Sequence, residues 1–180
     1  MPTENFDEIL NNAIRRVPDF PKKGILFFDV TSIFTNPPAF KHTLDRMVQI
    51  YASKKIDAIA AVESRGFLFA APLAEKLQLP LVLIRKKGKL PGSVYRASYS
   101  LEYGDATIEA HKADIQKDKN YLVIDDLIAT GGTLTASKSL IEQGGGKVAE
   151  FFGVIGIPEL HYEKKLAPIP VTTLIDLSEK

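Results

Sequence analysis

The chain has 180 residues, 45% of them hydrophobic, enough to bury a core without metals or cross-links. It contains no cysteine, which excludes disulfides, thiolate metal sites and a cysteine nucleophile. With a formal net charge of +1 there is no global case for nucleic acid or a charged membrane, so any bound anion must be held by local charge.

The N-terminal segment MPTENFDEIL lacks a basic-then-apolar leader, and no apolar run reaches membrane-spanning length, so the expected location is the cytoplasm. Phe6, Ile9, Leu10, Ala13, Ile14 and Val17 recur at helical spacing and predict an amphipathic helix ending before Pro18. Phe40, Leu44, Met47, Val48 and Tyr51 repeat the pattern in a second helix, and a buried strand follows over 56–62. The rhythm then continues with a helix over 66–77 and strands over 79–84 and 121–125, then a helix over 133–143 and a strand over 148–155. Gly144 to Gly146 reads as a helix stop. One α/β domain over 1–180 is expected, with a central, mostly parallel sheet flanked by helices. The three histidines are scattered, His111 is read as structural, and no metal cluster is expected.

The run VIDDLIATGGT, residues 123–133, concentrates the chemistry. Asp125 and Asp126 are placed at the carboxyl end of a buried strand, where open α/β sheets bind ligands, and paired carboxylates there can accept hydrogen bonds from vicinal hydroxyls or hold Mg2+ through water. Ala129, Thr130, Gly131, Gly132 and Thr133 follow, and their small side chains let backbone N–H groups approach an anion where the next helix starts. The combination fits a phosphorylated sugar, although an ordinary capped βα connection has the same parts. Neither GxxxxGK[ST] nor a helix-opening GxGxxG is present, which weighs against ATP hydrolysis and dinucleotide binding. A second turn, Glu63-Ser64-Arg65-Gly66, also joins a strand to a helix and offers N–H groups with Arg65 as a charged clamp, suited to pyrophosphate. Residues 85–104 form a long connection, basic at Arg85, Lys86, Lys87 and Lys89 and then rich in Gly, Ser and Tyr, which reads either as a lid or as a solvated hairpin.

VIDDLIATGGT resembles the 5-phosphoribosyl-1-pyrophosphate (PRPP) motif of type I phosphoribosyltransferases. With PDFPKKGILFFD (18–29), VESRGFLFAAPLA (62–74), LIRKKGKLPG (83–92) and SYSLEYG (98–104) in this order, the chain is similar over nearly its whole length to the adenine phosphoribosyltransferases. Ala129 fits, because the 6-oxopurine members carry an Asp there that contacts the base.

The resemblance implies a type I fold with a small N-terminal hood at about 18–35 and a flexible lid at about 85–104. It implies transfer of the phosphoribosyl group from PRPP to N9 of adenine, giving AMP and pyrophosphate, with Mg2+ held mainly by substrate and water rather than by direct protein ligands. Asp125 and Asp126 would hold the ribose and 129–133 the 5′-phosphate. Glu63, Ser64 and Arg65 would form the pyrophosphate loop, through a non-proline cis peptide at Glu63-Ser64, with Arg85, Lys86 and Lys89 closing over it. Glu102 and Arg65 are the catalytic candidates, Glu102 for the purine proton, with Tyr103 beside it. Phe27 would stack on the base and the Leu26 backbone would read its edge. Phe28 departs from the family, where many members carry Arg. Relatives are usually homodimers, and one is expected here. Another nucleobase specificity, such as xanthine, and a non-enzymatic PRPP-sensing regulator are the alternatives.

Overall fold

A computed structural model of the chain describes residues 6–101 and 104–178. The elements in chain order are α1 (Phe6–Ala13), β1 (Arg15–Pro18), β2 (Leu26–Asp29), α2 (Thr31–Phe34), α3 (Pro37–Tyr51), β3 (Ala58–Val62), α4 (Arg65–Leu77) and β4 (Leu81–Lys86). They continue with β5 (Val94–Leu101), β6 (Gly104–His111), β7 (Asn120–Ile128), α5 (Gly132–Gln143), β8 (Lys147–Gly156), α6 (Tyr162–Leu166) and β9 (Val171–Asp176). Seven strands form one sheet in the order β5-β6-β4-β3-β7-β8-β9. Pairings from β4 through β9 are parallel, while β6 runs antiparallel to both β4 and β5. The mostly parallel α/β sheet expected from the sequence is therefore present.

The two faces of the sheet bury separate cores, as helices on both sides of a parallel sheet require. On one face, Leu10, Ile33, Met47, Phe69 and Leu73 from the first four helices pack on Ile59, Leu122, Ile124 and Phe152. On the other, Leu134, Leu140 and Ile141 of α5 and Leu166 of α6 cover Val82, Ile108, Val123 and Phe151. Glycine stops α5 as expected: Gly144 caps it and Gly145 follows at φ +78°.

Several boundaries differ from those expected from the sequence, four of them near the cleft or the N-terminal sheet. The first helix ends at Ala13, and Arg15–Pro18 is a strand paired antiparallel with Leu26–Asp29 in a separate two-stranded sheet. Ile14 and Val17 keep the helical spacing, but Arg15 is held in the two-stranded sheet by its N–H donating to Ser32 Oγ at 2.8 Å and its guanidinium pairing with Asp29 at 3.0 Å. The strand expected over 79–84 is Leu81–Lys86, so Arg85 and Lys86 lie in the sheet rather than in a loop. Within the connection 85–104, residues 94–101 form β5, paired antiparallel with β6. The strand expected to end at Asp125 runs on to Ile128, because β8 continues to pair with it after β3 has stopped at Ala61↔Ile124.

Candidate functional site

The end of β3 at Val62 leaves the upper part of β7 open on one side, and the two turns singled out in the sequence meet there. A cleft of about 230 Å3 is lined by Glu63, Arg65, Lys86, Asp125, Asp126 and Thr133, together with Val62, Tyr99, Ile108 and Leu127. Six predicted site residues from three separate stretches of chain thus share one cavity. Gly66 makes this approach possible: a Cβ there would lie 3.1 Å from the Ile124 carbonyl oxygen and 3.3 Å from Asp125 Cα. The peptide between Glu63 and Ser64 is cis, as expected.

Charge within the cleft is arranged in pairs. Arg65 Nε donates to Asp126 Oδ2 at 2.5 Å, and Asp126 is buried. Arg85 Nε donates to Glu63 Oε2 at 2.7 Å, and the Lys86 N–H donates to the same oxygen at 2.9 Å. Burial pushes the Glu63 carboxyl up, but these two hydrogen bonds and the charges of Arg85 and Lys86 outweigh it, so it lies below the ordinary carboxylate range. Asp125 moves the other way. Burial and the neighbouring Asp126 charge push its carboxyl well above the usual range, against the smaller pull of the Asp126 N–H and Arg65.

The loop after β7 leads into the N-terminus of α5. Gly131 precedes α5 in the left-handed region at φ +75°, and no side chain caps the helix. The first N–H groups of a 12-residue helix are therefore available to an external acceptor. Thr130 Oγ1 lies 3.7 Å from the position a Cβ on Gly132 would take, so a hydroxyl flanks the same end.

The remaining predicted residues are distributed as follows. Lys89 lies in the turn between β4 and β5, its N–H donating to the Lys86 carbonyl, with its side chain exposed. Leu26 and Phe27 lie on β2, where Phe27 meets Phe20 edge-on at 5.0 Å between ring centroids. Phe28, the departure from the family, alternates to the opposite face of the strand and is buried beneath the Arg16 guanidinium, 5.8 Å above its ring. Glu102 and Tyr103 lie outside the described residues. Tyr99, which the sequence reading passed over, lines the cleft. Its signal was the period-2 run Tyr95, Ala97, Tyr99, all three packed against the core on the α5 side.

A family model for the phosphoribosyl transferase domain matches residues 29–175. The adenine phosphoribosyltransferase of Treponema denticola is 59% identical over 175 residues, covering 97% of this chain and 92% of its own. The chain belongs to the adenine phosphoribosyltransferase family. Solved structures of the family superpose closely on this transferase. The adenine phosphoribosyltransferase of Thermoanaerobacter pseudethanolicus has a TM-score of 0.91 at 40% identity, covering 96% of this chain and all (100%) of that one. The Saccharomyces cerevisiae enzyme, complexed with an imino-altritol bisphosphate and adenine, has a TM-score of 0.88 at 38% identity, covering 94% and 98%.

Proposed function

We propose that this transferase moves the 5-phosphoribosyl group of PRPP to N9 of adenine, yielding AMP and pyrophosphate. The observation that carries the reading is the juxtaposition of the Asp125–Asp126 pair with the uncapped N-terminus of α5, in a chain 59% identical to a curated adenine phosphoribosyltransferase. The carboxylates accept the ribose hydroxyls and favour the positive charge that develops on the ring as the pyrophosphate departs. Residues 129–133 hold the 5′-phosphate through N–H groups and the Thr130 and Thr133 hydroxyls. Ser64 and Arg65 meet the pyrophosphate, with Lys86, Arg85 and Lys89 as further cations, and Arg85 exchanges Glu63 for the leaving group. Phe27 stacks on the base, the Leu26 backbone reads its edge, and Glu102 takes the purine proton with Tyr103 beside it.

Magnesium belongs to the same reading. Two adjacent carboxylates, one already paired with Arg65, suit a cation that keeps water and substrate oxygens as most of its ligands. When bound, it would neutralise charge on the pyrophosphate. A homodimer in the cytoplasm completes the proposal. Among the described residues no helix is long and apolar enough to cross a membrane.

The test is AMP formation from adenine and PRPP with Mg2+, run beside hypoxanthine, guanine, xanthine and uracil. Asp125→Asn combined with Asp126→Asn serves as the control. Turnover of adenine alone, abolished in the control, is expected; PRPP binding without turnover of any base would point to a regulator instead. Sedimentation equilibrium reports the assembly.

A further inference from the structure

We propose that Lys165 is an additional ligand of the 5′-phosphate, set beside the N-terminus of α5 by the packing of α6 on the phosphate loop. This rests on reading residues 129–133 as that loop. Leu166 is buried, and three of its side-chain atoms lie 3.1, 3.3 and 3.4 Å from the position a Cβ on Gly131 would take. The short helix α6 is therefore seated directly on the loop, and Tyr162 at its other end is buried as a second anchor. The residue before Leu166 consequently reaches the next glycine. Lys165 Nζ stands 3.5 Å from where a Cβ on Gly132 would be, with Tyr99 Cδ2 at 3.5 Å and Thr130 Oγ1 at 3.7 Å from the same point. An ammonium, a hydroxyl and the first N–H groups of α5 are gathered round one residue that has no side chain.

Electrostatics gives that arrangement its meaning. The N-terminus of a helix carries partial positive charge, so a cation beside it is unfavourable unless an anion lies between them. Lys165 makes no ion pair among the described residues, whereas Arg65 and Arg85 are each paired with a carboxylate. A cleft of about 420 Å3 along this flank of α5, lined by Ser98, Tyr99, Gly132, Thr135 and Lys165, gives access to the ammonium. Tyr99 also lines the cleft that contains the carboxylates, so the two cavities adjoin at its ring. A compact ammonium on an exposed, flexible stem suits a tetrahedral phosphomonoester dianion better than a planar carboxylate. Lys165 thus discriminates the phosphorylated sugar and takes no part at the base.

Binding of AMP and of adenosine, measured calorimetrically at fixed ionic strength, separates this role from a structural one. Lys165→Gln should weaken AMP about tenfold and raise KM for PRPP to a similar degree, the loss of one charge-assisted contact. Its adenosine affinity, kcat and KM for adenine should stay near the wild-type values. Lys165→Arg should recover most of the loss, and Lys164→Gln on the same helix should change nothing. Equal weakening of AMP and adenosine, or unchanged AMP binding, overturns the role of Lys165. A wild-type protein that does not distinguish AMP from adenosine overturns the phosphate-loop reading beneath it.

Discussion

Asp126 has 8% of its side chain exposed, and its counter-charge Arg65 has 44% exposed, so the pair sits at the boundary between interior and solvent. Removing the arginine leaves a buried carboxylate without its cation, a heavier loss than that of a surface pair but lighter than that of a fully buried one. Arg65→Ala should therefore lower stability by about 1–2 kcal/mol in urea unfolding, alongside a large fall in kcat/KM for PRPP. Adding Asp126→Asn should recover much of the stability and none of the activity; additive stability losses would show that the two residues do not act as a pair.

Glu63 and Asp125 in the cleft are shifted in opposite directions. Glu63 lies below its ordinary value, so its contribution to stability is complete above the unfolded carboxylate pKa and is lost as pH falls through the folded one. Asp125 lies above, so the native state retains its proton longer than the unfolded chain, and stability is lost as pH rises from the unfolded pKa through the folded one. Asp126→Asn removes the neighbouring charge and should bring the Asp125 carboxyl down, which carbon NMR of that carboxyl would follow directly. An unchanged or rising value would mean that burial alone sets it.

At the scale of elements, the β5–β6 hairpin is held by Glu109. This carboxylate, 1% exposed on β6, accepts from Arg96 Nε at 2.7 Å and from the Gly88 N–H at 2.9 Å, tying the basic turn after β4 to the sheet edge. Glu109→Ala should cost about 1 kcal/mol, since the exposed Arg96 and Gly88 donors turn to water and only the net worth of the two hydrogen bonds is lost. Hydrogen exchange should quicken over 87–93 and stay slow in β7; uniform acceleration would refute a local latch. Gly66→Ala tests the other junction. The added methyl must displace the backbone of Ile124 and Asp125, so melting temperature and PRPP affinity should fall together.

These elements also mark the limit of what periodicity reveals. The helices α3, α4 and α5 were legible because each is long enough to repeat a 3.6-residue pattern. Arg15–Pro18 was not, since four residues fit a helical continuation as well as a strand and only pairing with β2 decides. The edge strand β9 escaped for a related reason. Short edge segments of mixed polarity carry a weak pattern, and β9 is a strand by virtue of its partner β8.

For the whole molecule, ligand binding and stability are linked. AMP at roughly one hundred times its dissociation constant should stabilise the fold by about 2.7 kcal/mol, or roughly 5–10 °C in Tm for a chain of this length. Adenosine at the same concentration should give a smaller shift, since the α5 terminus would have no phosphate to bind; equal shifts would count against the phosphate site.

The carboxylate pair and the loop proposed to bind the sugar phosphate are legible in the chain alone because that motif is local. Residues 123–133 contain the strand end, both carboxylates and the loop into α5, with no distant partner required to bring them together. Only the tertiary structure decided which remote residues join them. Arg65 meets Asp126 across 61 residues because β3 and β7 are neighbours in the sheet, and Tyr99 enters because an antiparallel hairpin lies beyond β4. Lys165 reaches Gly132 because Leu166 is buried against the preceding glycine. Such contacts follow from strand order and side-chain packing, which no pattern along a single segment encodes.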